Sequence, residues 1–214
     1  MKKRMLVTAG PTFEAIDRVR YLANRSSGAT GVAIAEAAAC AGYDVTLLLG
    51  PSEPPEVKIA GDIRVERFES TADLQRLLDE HFGECDVLVM AAAVADYRPV
   101  RVSDGKMERK TSGGLTIELE STPDLVAGCA KRKRADQRVI AFALEEPAKL
   151  AERAKAKLAR KAVDAIVANP LETMGAAEIN ATVYTADGEA HHAGAMNKRD
   201  FAAWLVGWIT KNRD

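Results

Sequence analysis

The sequence predicts an α/β domain in which a mostly parallel sheet lies between two helix layers, with one β excursion projecting from it. Three observations predict this. Short apolar runs alternate with longer helical patterns along most of the chain, the order of a parallel sheet with helical crossovers. The run from Asp86 to Ala92 is almost wholly apolar, as for a strand buried on both faces. Glycine or proline punctuates the runs at Gly10-Pro11, Gly42 and Gly50-Pro51, where the chain has to turn.

Met5 to Thr8 is the expected first strand, ending at Gly10-Pro11. Gly28 to Ala41 follows as an alanine-rich helix stopped by Gly42. Val45–Leu49 and Ile63–Phe68 supply two further strands, and Thr71 is the expected N-cap of a helix running through His81. Beyond Asp86–Ala92 the pattern changes. Residues 98–122 carry Pro99, Gly105, Gly113, Gly114 and one alternating run, Leu115 to Leu119, and read as an excursion with its own β-structure. Helix returns at Asp124–Lys133, strand at Val139–Leu144, a strongly charged helix at Ala148–Ala162 and strand at Ala165–Ala168. Thr182–Tyr184 and Ala190–His192 flank Asp187-Gly188 as a hairpin signal. Asn197–Ile209 is the expected final helix. No repeat or linker divides the 214 residues, so a single domain over 1–214 is expected, large enough to bury a substantial core.

Thirty basic residues against thirty-one acidic ones argue against a general nucleic-acid or membrane-surface role. The apolar run Met5-Leu6-Val7 behind Met-Lys-Lys-Arg is too short for a signal peptide, and no run reaches membrane-spanning length. Cys40, Cys85 and Cys129 sit among apolar residues and read as buried, reduced thiols. A cytoplasmic protein is expected.

In open α/β sheets ligands sit beyond the carboxyl ends of the strands. Two segments there, Gly10-Pro11-Thr12 and Ser26-Ser27-Gly28, read as a backbone phosphate cradle. Orphan N–H groups and the helix dipole both favour an anion at such a helix start, though the serines also suit a plain N-cap. The loop lacks Gly-Lys-Ser/Thr, and Gly28-Ala29-Thr30-Gly31 has only the last half of a Gly-x-Gly-x-x-Gly spacing. A standard NAD site is therefore disfavoured. Ala91 to Ala95, with Ala92 and Ala93 at its centre, would let a ligand lie against the backbone; Asp96 follows to hold a cation or ribose, or to cap a turn. Lys157 and Lys161 share one helix face, as a polyphosphate clamp or as part of a solvated surface. The Lys131–Arg134 run reads as a solvated helix end, and His191-His192 lacks partners for a metal site.

Taken together and in order, these segments resemble the phosphopantothenate–cysteine ligase domain of coenzyme A biosynthesis. The resemblance rests on Leu6 to Thr12, Asp17-Arg18-Val19-Arg20-Tyr21, Asn24 to Gly28, Ala91 to Pro99, Thr122-Pro123-Asp124-Leu125 and Val167-Ala168-Asn169. It implies a Rossmann-like fold and a two-step reaction. The phosphopantothenate carboxylate would attack the α-phosphate of CTP or ATP, releasing pyrophosphate; the cysteine amine would then displace the nucleotide. It implies Asn24 at the acyl intermediate, Lys106 closing over the triphosphate, and Arg20 with Asn24 holding phosphopantothenate. Nucleotide contacts are implied for Gly10, Pro11, Thr12, Ser26, Ser27, Gly28, Ala92, Ala93, Asp96, Pro123, Asp124, Phe142, Lys157 and Lys161. Asp96 is the implied ligand of Mg2+ or another divalent cation, through the nucleotide phosphates. A homodimer is implied, with the excursion of one subunit reaching its partner's site.

The chain departs from the family at Ala29-Thr30, where Lys-Met is usual, at Glu108 within Lys106–Lys110, and at Glu146. A catalytically diverged relative that binds a nucleotide or pantothenate derivative without turnover is the alternative.

Overall fold

The computed structural model describes residues 2–51, 60–108 and 113–212. Its centre is an eight-stranded sheet. In chain order the elements are β1 (Arg4–Ala9), β2 (Phe13–Ala15), β3 (Tyr21–Ala23), α1 (Ala29–Cys40), β4 (Asp44–Leu49), β5 (Ile63–Arg67), α2 (Thr71–His81) and β6 (Val87–Met90). There follow β7 (Tyr97–Pro99), β8 (Leu119–Ser121), α3 (Leu125–Arg132), β9 (Arg138–Glu145), α4 (Leu150–Lys161), β10 (Ala165–Pro170), β11 (Glu178–Thr185), β12 (Ala190–Asn197) and α5 (Lys198–Lys211). The sheet order is β12-β11-β10-β9-β6-β1-β4-β5. All strands from β10 to β5 pair in parallel, and the β11–β12 hairpin adds an antiparallel edge.

Strand pleating divides the core. Val7, Val89, Ile140 and Val167 face α1 and α5, with Ile34, Phe201 and Leu205. Their neighbours Leu6, Leu88, Val139 and Ile166 face α2, α3 and α4, with Leu74, Val126 and Ala154. The fold is the Rossmann-like three-layer arrangement expected. Chain order reverses between β1 and β6: β4 and β5 lie to one side, β9 and β10 to the other. Ligands gather at such a switch point.

The helix-to-strand contact at β1 is very close. A Cβ added to Gly31 would lie 2.5 Å from Ala9 Cβ and 3.0 Å from Thr8 O, so only glycine lets α1 settle onto β1 at this point.

Several expectations need correction. Thr71 is not the cap of α2: Ser70 is, in a reciprocal capping box with Asp73. Thr71 instead donates its hydroxyl to buried Glu14 at 2.6 Å. Of the Leu115–Leu119 run only Leu119 is in a strand, where β8 pairs with β7. The β2–β3 hairpin, closed by Phe13 stacked on Tyr21 at 3.8 Å, was not foreseen. Cys40 is exposed, and only Cys85 and Cys129 are buried. Burial pushes the Cys85 thiol up to about 11 despite a hydrogen bond from Gln137.

The Lys131–Arg134 run is not simply solvated. Arg132 pairs with Asp79 at 2.5 Å, Lys133 bonds Asp164, and Arg134 donates to the carbonyls of Gly83 and Cys85. These contacts tie the end of α3 to neighbouring loops. Among the described residues no helix is long and apolar enough to cross a membrane.

Candidate functional site

A cavity of about 950 Å³ opens at the carboxyl edge of the parallel strands. Asn24, Ser26, Ser27, Gly28, Ala92, Ala93, Asp96, Pro123, Asp124, Phe142, Lys157 and Lys161 all line it, so twelve sequence-predicted residues meet there. They come from segments as far apart as the α1 start and the α4 end.

The start of α1 is built for an anion. Gly28 takes φ 75°, which glycine adopts without strain, and as the N-cap it offers no side chain; the Ser26 and Ser27 hydroxyls accept from Gly28 N at 3.3 Å and Ala29 N at 3.4 Å. The first turn holds no acidic residue. Gly28, Ala29, Thr30 and Gly31 all line the cavity, so the positive end of the helix opens into it.

The other half of the expected cradle does not reach the cavity. Gly10, Pro11 and Thr12 do not line it among the described residues. They extend the parallel pairing of β1 and β6: Ala93 N donates to Gly10 O at 2.9 Å, and Thr12 N donates to Ala93 O at 3.2 Å. The Thr12 hydroxyl is fully buried and accepts from Ala95 N at 3.0 Å. These residues brace the Ala91–Ala95 segment from behind, and the Thr12 hydroxyl is further engaged by that of Thr71 at 3.3 Å.

Asn24 is fixed on that braced segment. Its Nδ2 donates to Ala93 O and Val94 O, each at 3.2 Å. Both partners are carbonyls, so the amide orientation follows from the chemistry. Its donors are therefore committed, and among the described residues Oδ1 has no hydrogen-bond partner.

Cations dominate the walls. Arg25, Lys157, Arg160, Lys161 and Lys198 line the cavity against the carboxylates Asp96 and Asp124. Lys161 bonds Asp124 at 2.6 Å, and Lys157 bonds Glu145 at 2.6 Å. Glu145, in β9, has a side chain 5% exposed and also pairs with Arg153 at 3.2 Å. Arg160, three residues from Lys157, lies on the same side of α4 and joins the pair in the cavity wall. Lys198 was not foreseen at all, because no local pattern links α5 to α1. Phe142 lines the cavity from the α1/α5 face of the sheet, opposite the layer that supplies Lys157 and Lys161.

Arg20 and Lys106 are not among the residues lining this cavity. Lys106 is exposed. Arg20 instead helps to clasp the excursion. Met107 N donates to Asp17 Oδ2 at 3.1 Å, while Met107 O accepts from Arg20 Nη2 at 2.9 Å. Asp17 Oδ1 also accepts from Val19 N at 2.8 Å and from Arg20 N at 2.7 Å. Glu108 is exposed beside this clasp, whereas Arg109 and Lys110 lie outside the described residues. Arg20→Ala is expected to free the excursion, seen as faster limited proteolysis within residues 98–122 at an unchanged melting temperature. Cleavage at the parent rate would show that the clasp does not restrain it.

Three of the carboxyls described above, Asp17, Asp124 and Glu145, are held below their usual range. At Asp17 burial opposes ionisation, but backbone bonds from Val19, Met107 and Arg20 outweigh it. Burial is likewise overcome at Asp124 by Lys161, and at Glu145 by Lys157 and Arg153. Their contribution to stability is complete above the unfolded carboxyl range of about 4. It is lost as pH falls through the lower folded values. A melting temperature flat from neutrality to near pH 5 and falling steeply below about pH 4 is expected. The Glu145→Gln variant should fall less over the same interval.

Comparison with known proteins agrees with the fold. The chain is 43% identical over 175 residues to a cysteine/cysteine sulfinic acid decarboxylase of an unknown prokaryotic organism, covering 81% of this chain and 47% of that protein. Over 202 residues it is 38% identical to the coenzyme A biosynthesis bifunctional protein CoaBC of Bacillus subtilis (strain 168), covering 92% of this chain and 48% of that one. The chain thus spans about half the length of these curated relatives. The crystal structure of the C-terminal domain of a CoaBC protein superposes with a TM-score of 0.82 at 34% identity, covering 98% of this chain and 94% of that chain. Matched over residues 1–212, the chain belongs to the family described as the DNA/pantothenate metabolism flavoprotein C-terminal domain.

Proposed function

We propose that this chain joins phosphopantothenate to cysteine through an acyl-nucleotide formed from CTP or ATP, with release of pyrophosphate. The observation that carries the reading is the union, in one cavity, of a glycine-led helix start, Asn24 on the Ala93–Val94 backbone, and the Lys157–Lys161 face. Such a site can hold polyphosphate and an activated carboxyl group side by side. The naming of the CoaBC relatives supports it.

The residues have separable tasks. The α1 start, Lys157 and Lys161 bind phosphate oxygens. The small side chains of Ala92 and Ala93 let the ligand approach the backbone. Asn24, fixed by its own donors, positions the acyl group. Asp96 is exposed on the cavity wall and fits a divalent cation, since Mg2+ is commonly held by one or two carboxylates together with substrate phosphates. Mg2+ bound there would neutralise phosphate charge.

A homodimer accords with Arg20 and Lys106 lying away from the chain's own cavity. It also accords with exposed Val19, Tyr21, Tyr97, Val100 and Val102 on and beside the β2–β3 and β7–β8 hairpins.

The test is pyrophosphate release with CTP and with ATP, Mg2+ present, omitting phosphopantothenate or cysteine in turn. Release that needs both substrates is expected, and comparing the nucleotides settles the preference. Nucleotide-induced thermal stabilisation with no release under any condition would overturn the reading in favour of a binding protein without turnover.

A further inference from the structure

Behind the backbone that grips Asn24 lies a buried carboxyl that no ligand contact uses. Glu14, in β2, is 5% exposed, and Thr71, the first residue of α2, is 1% exposed. Glu14 Oε1 accepts from Thr71 N at 2.9 Å and from the Thr71 hydroxyl at 2.6 Å. That hydroxyl also reaches Thr12 Oγ1 at 3.3 Å, and Thr12 Oγ1 accepts from Ala95 N at 3.0 Å. Glu14, Thr71, Thr12 and Ala95 thus form one buried chain of polar contacts, although they come from separate segments. A satisfied buried network of this kind rigidifies what it touches.

What it touches is the seat of Asn24. Ala95 N–H and Val94 C=O belong to one planar peptide unit, in which the two groups point in opposite directions. The Thr12 hydroxyl holds the N–H from behind, so the carbonyl is turned forward, where Asn24 Nδ2 donates to it at 3.2 Å. The root of Asn24 leads back to the same carboxyl. Asn24 follows β3 directly, and β3 pairs with β2 in a register that sets Leu22 opposite Glu14. Both the backbone that carries Asn24 and the backbone that receives its amide are therefore tied to Glu14.

We propose that Glu14, Thr71 and Thr12 are positioning residues, a relay that sets the angle of the Val94–Ala95 peptide and through it the amide of Asn24. The consequence for turnover rests on the ligase reading above; the positioning itself does not. The competing role is core stability alone. It predicts that any loss of activity follows the loss of melting temperature, with no effect particular to Asn24.

The experiment has two arms. The first follows hydrogen exchange of the Asn24 side-chain amide and of Ala95 N by 15N NMR. Thr12→Val keeps the shape of the side chain but removes the acceptor, and is expected to speed both exchanges about tenfold. Thr12→Ser restores them. Glu14→Ala acts in the same direction, whereas Glu14→Gln keeps an acceptor for Thr71 and stays near the parent. The second arm measures ligation: kcat in Thr12→Val falls about tenfold with the nucleotide KM unchanged. Should Thr12→Val fold poorly, Thr71→Val reads the same link, because its backbone N–H can still reach Glu14. Parent-rate exchange of Asn24 and Ala95 in these variants overturns the proposal, as does a Glu14→Gln chain that loses as much as Glu14→Ala. A parent chain that makes no product sinks the ligase reading, while the exchange arm still decides the positioning.

Discussion

Gly31→Val is expected to unseat α1 and to abolish anion binding in the cavity. A Cβ at Gly31 would stand 2.5 Å from Ala9 Cβ, and neither partner is a flexible side-chain end that can swing aside. Helix and strand must separate, at a cost of about 1–3 kcal/mol or more for overpacking. In a chain of this size each kcal/mol lowers the melting temperature by roughly 2–4 °C. The loss of function should exceed the loss of stability, because the shifted segment is the helix start itself. Gly83→Ala is the control, as a Cβ there meets nothing within 4 Å. Parent-like melting and nucleotide-induced stabilisation in Gly31→Val would show that α1 does not depend on this contact.

Asn24→Asp is expected to reduce product formation on the order of 10²-fold, the scale of a reacting group misplaced by about 1 Å. The amide is held by donating to two carbonyls at 3.2 Å. A carboxylate cannot donate, and facing those oxygens it is repelled and turns away. Nucleotide binding should persist, since α1, Lys157 and Lys161 are untouched. Rapid-mixing measurements of product formation beside equilibrium nucleotide binding would separate the two effects. Product formed at the parent rate would remove Asn24 from the chemistry.

What the sequence made legible follows from the range of the interactions. The parallel strands were readable because burial on both faces leaves near-continuous apolar runs such as Val87–Met90. The charged helix and the hairpin at Asp187-Gly188 were equally local signals. Three-residue strands such as β2 and β7 carry too few side chains for any period to show. The capping residue of α2 was misplaced by one position, because Ser70 and Thr71 are chemically alike and only the reciprocal bond with Asp73 distinguishes them.

The site was partly legible for a similar reason. Residues on the α1 start and the Ala91–Asp96 segment belong to contiguous motifs, and they do converge. Thr12 carried the right chemistry for a phosphate ligand, yet its hydroxyl is consumed by Ala95 N. Whether a polar group is free or already engaged depends on contacts across 83 residues of chain, which no local pattern encodes. Arg20 is the same case: its guanidinium is spent on Met107 O, 87 residues away.

The two lysines of α4 have a further consequence. Each already has a carboxylate partner at 2.6 Å before any ligand arrives. A phosphate that reaches them therefore displaces or shares an existing anion rather than meeting a bare cation. Binding becomes an exchange of partners, and few mobile counterions are released. Affinity should accordingly change less with ionic strength than five cavity-lining cations would suggest.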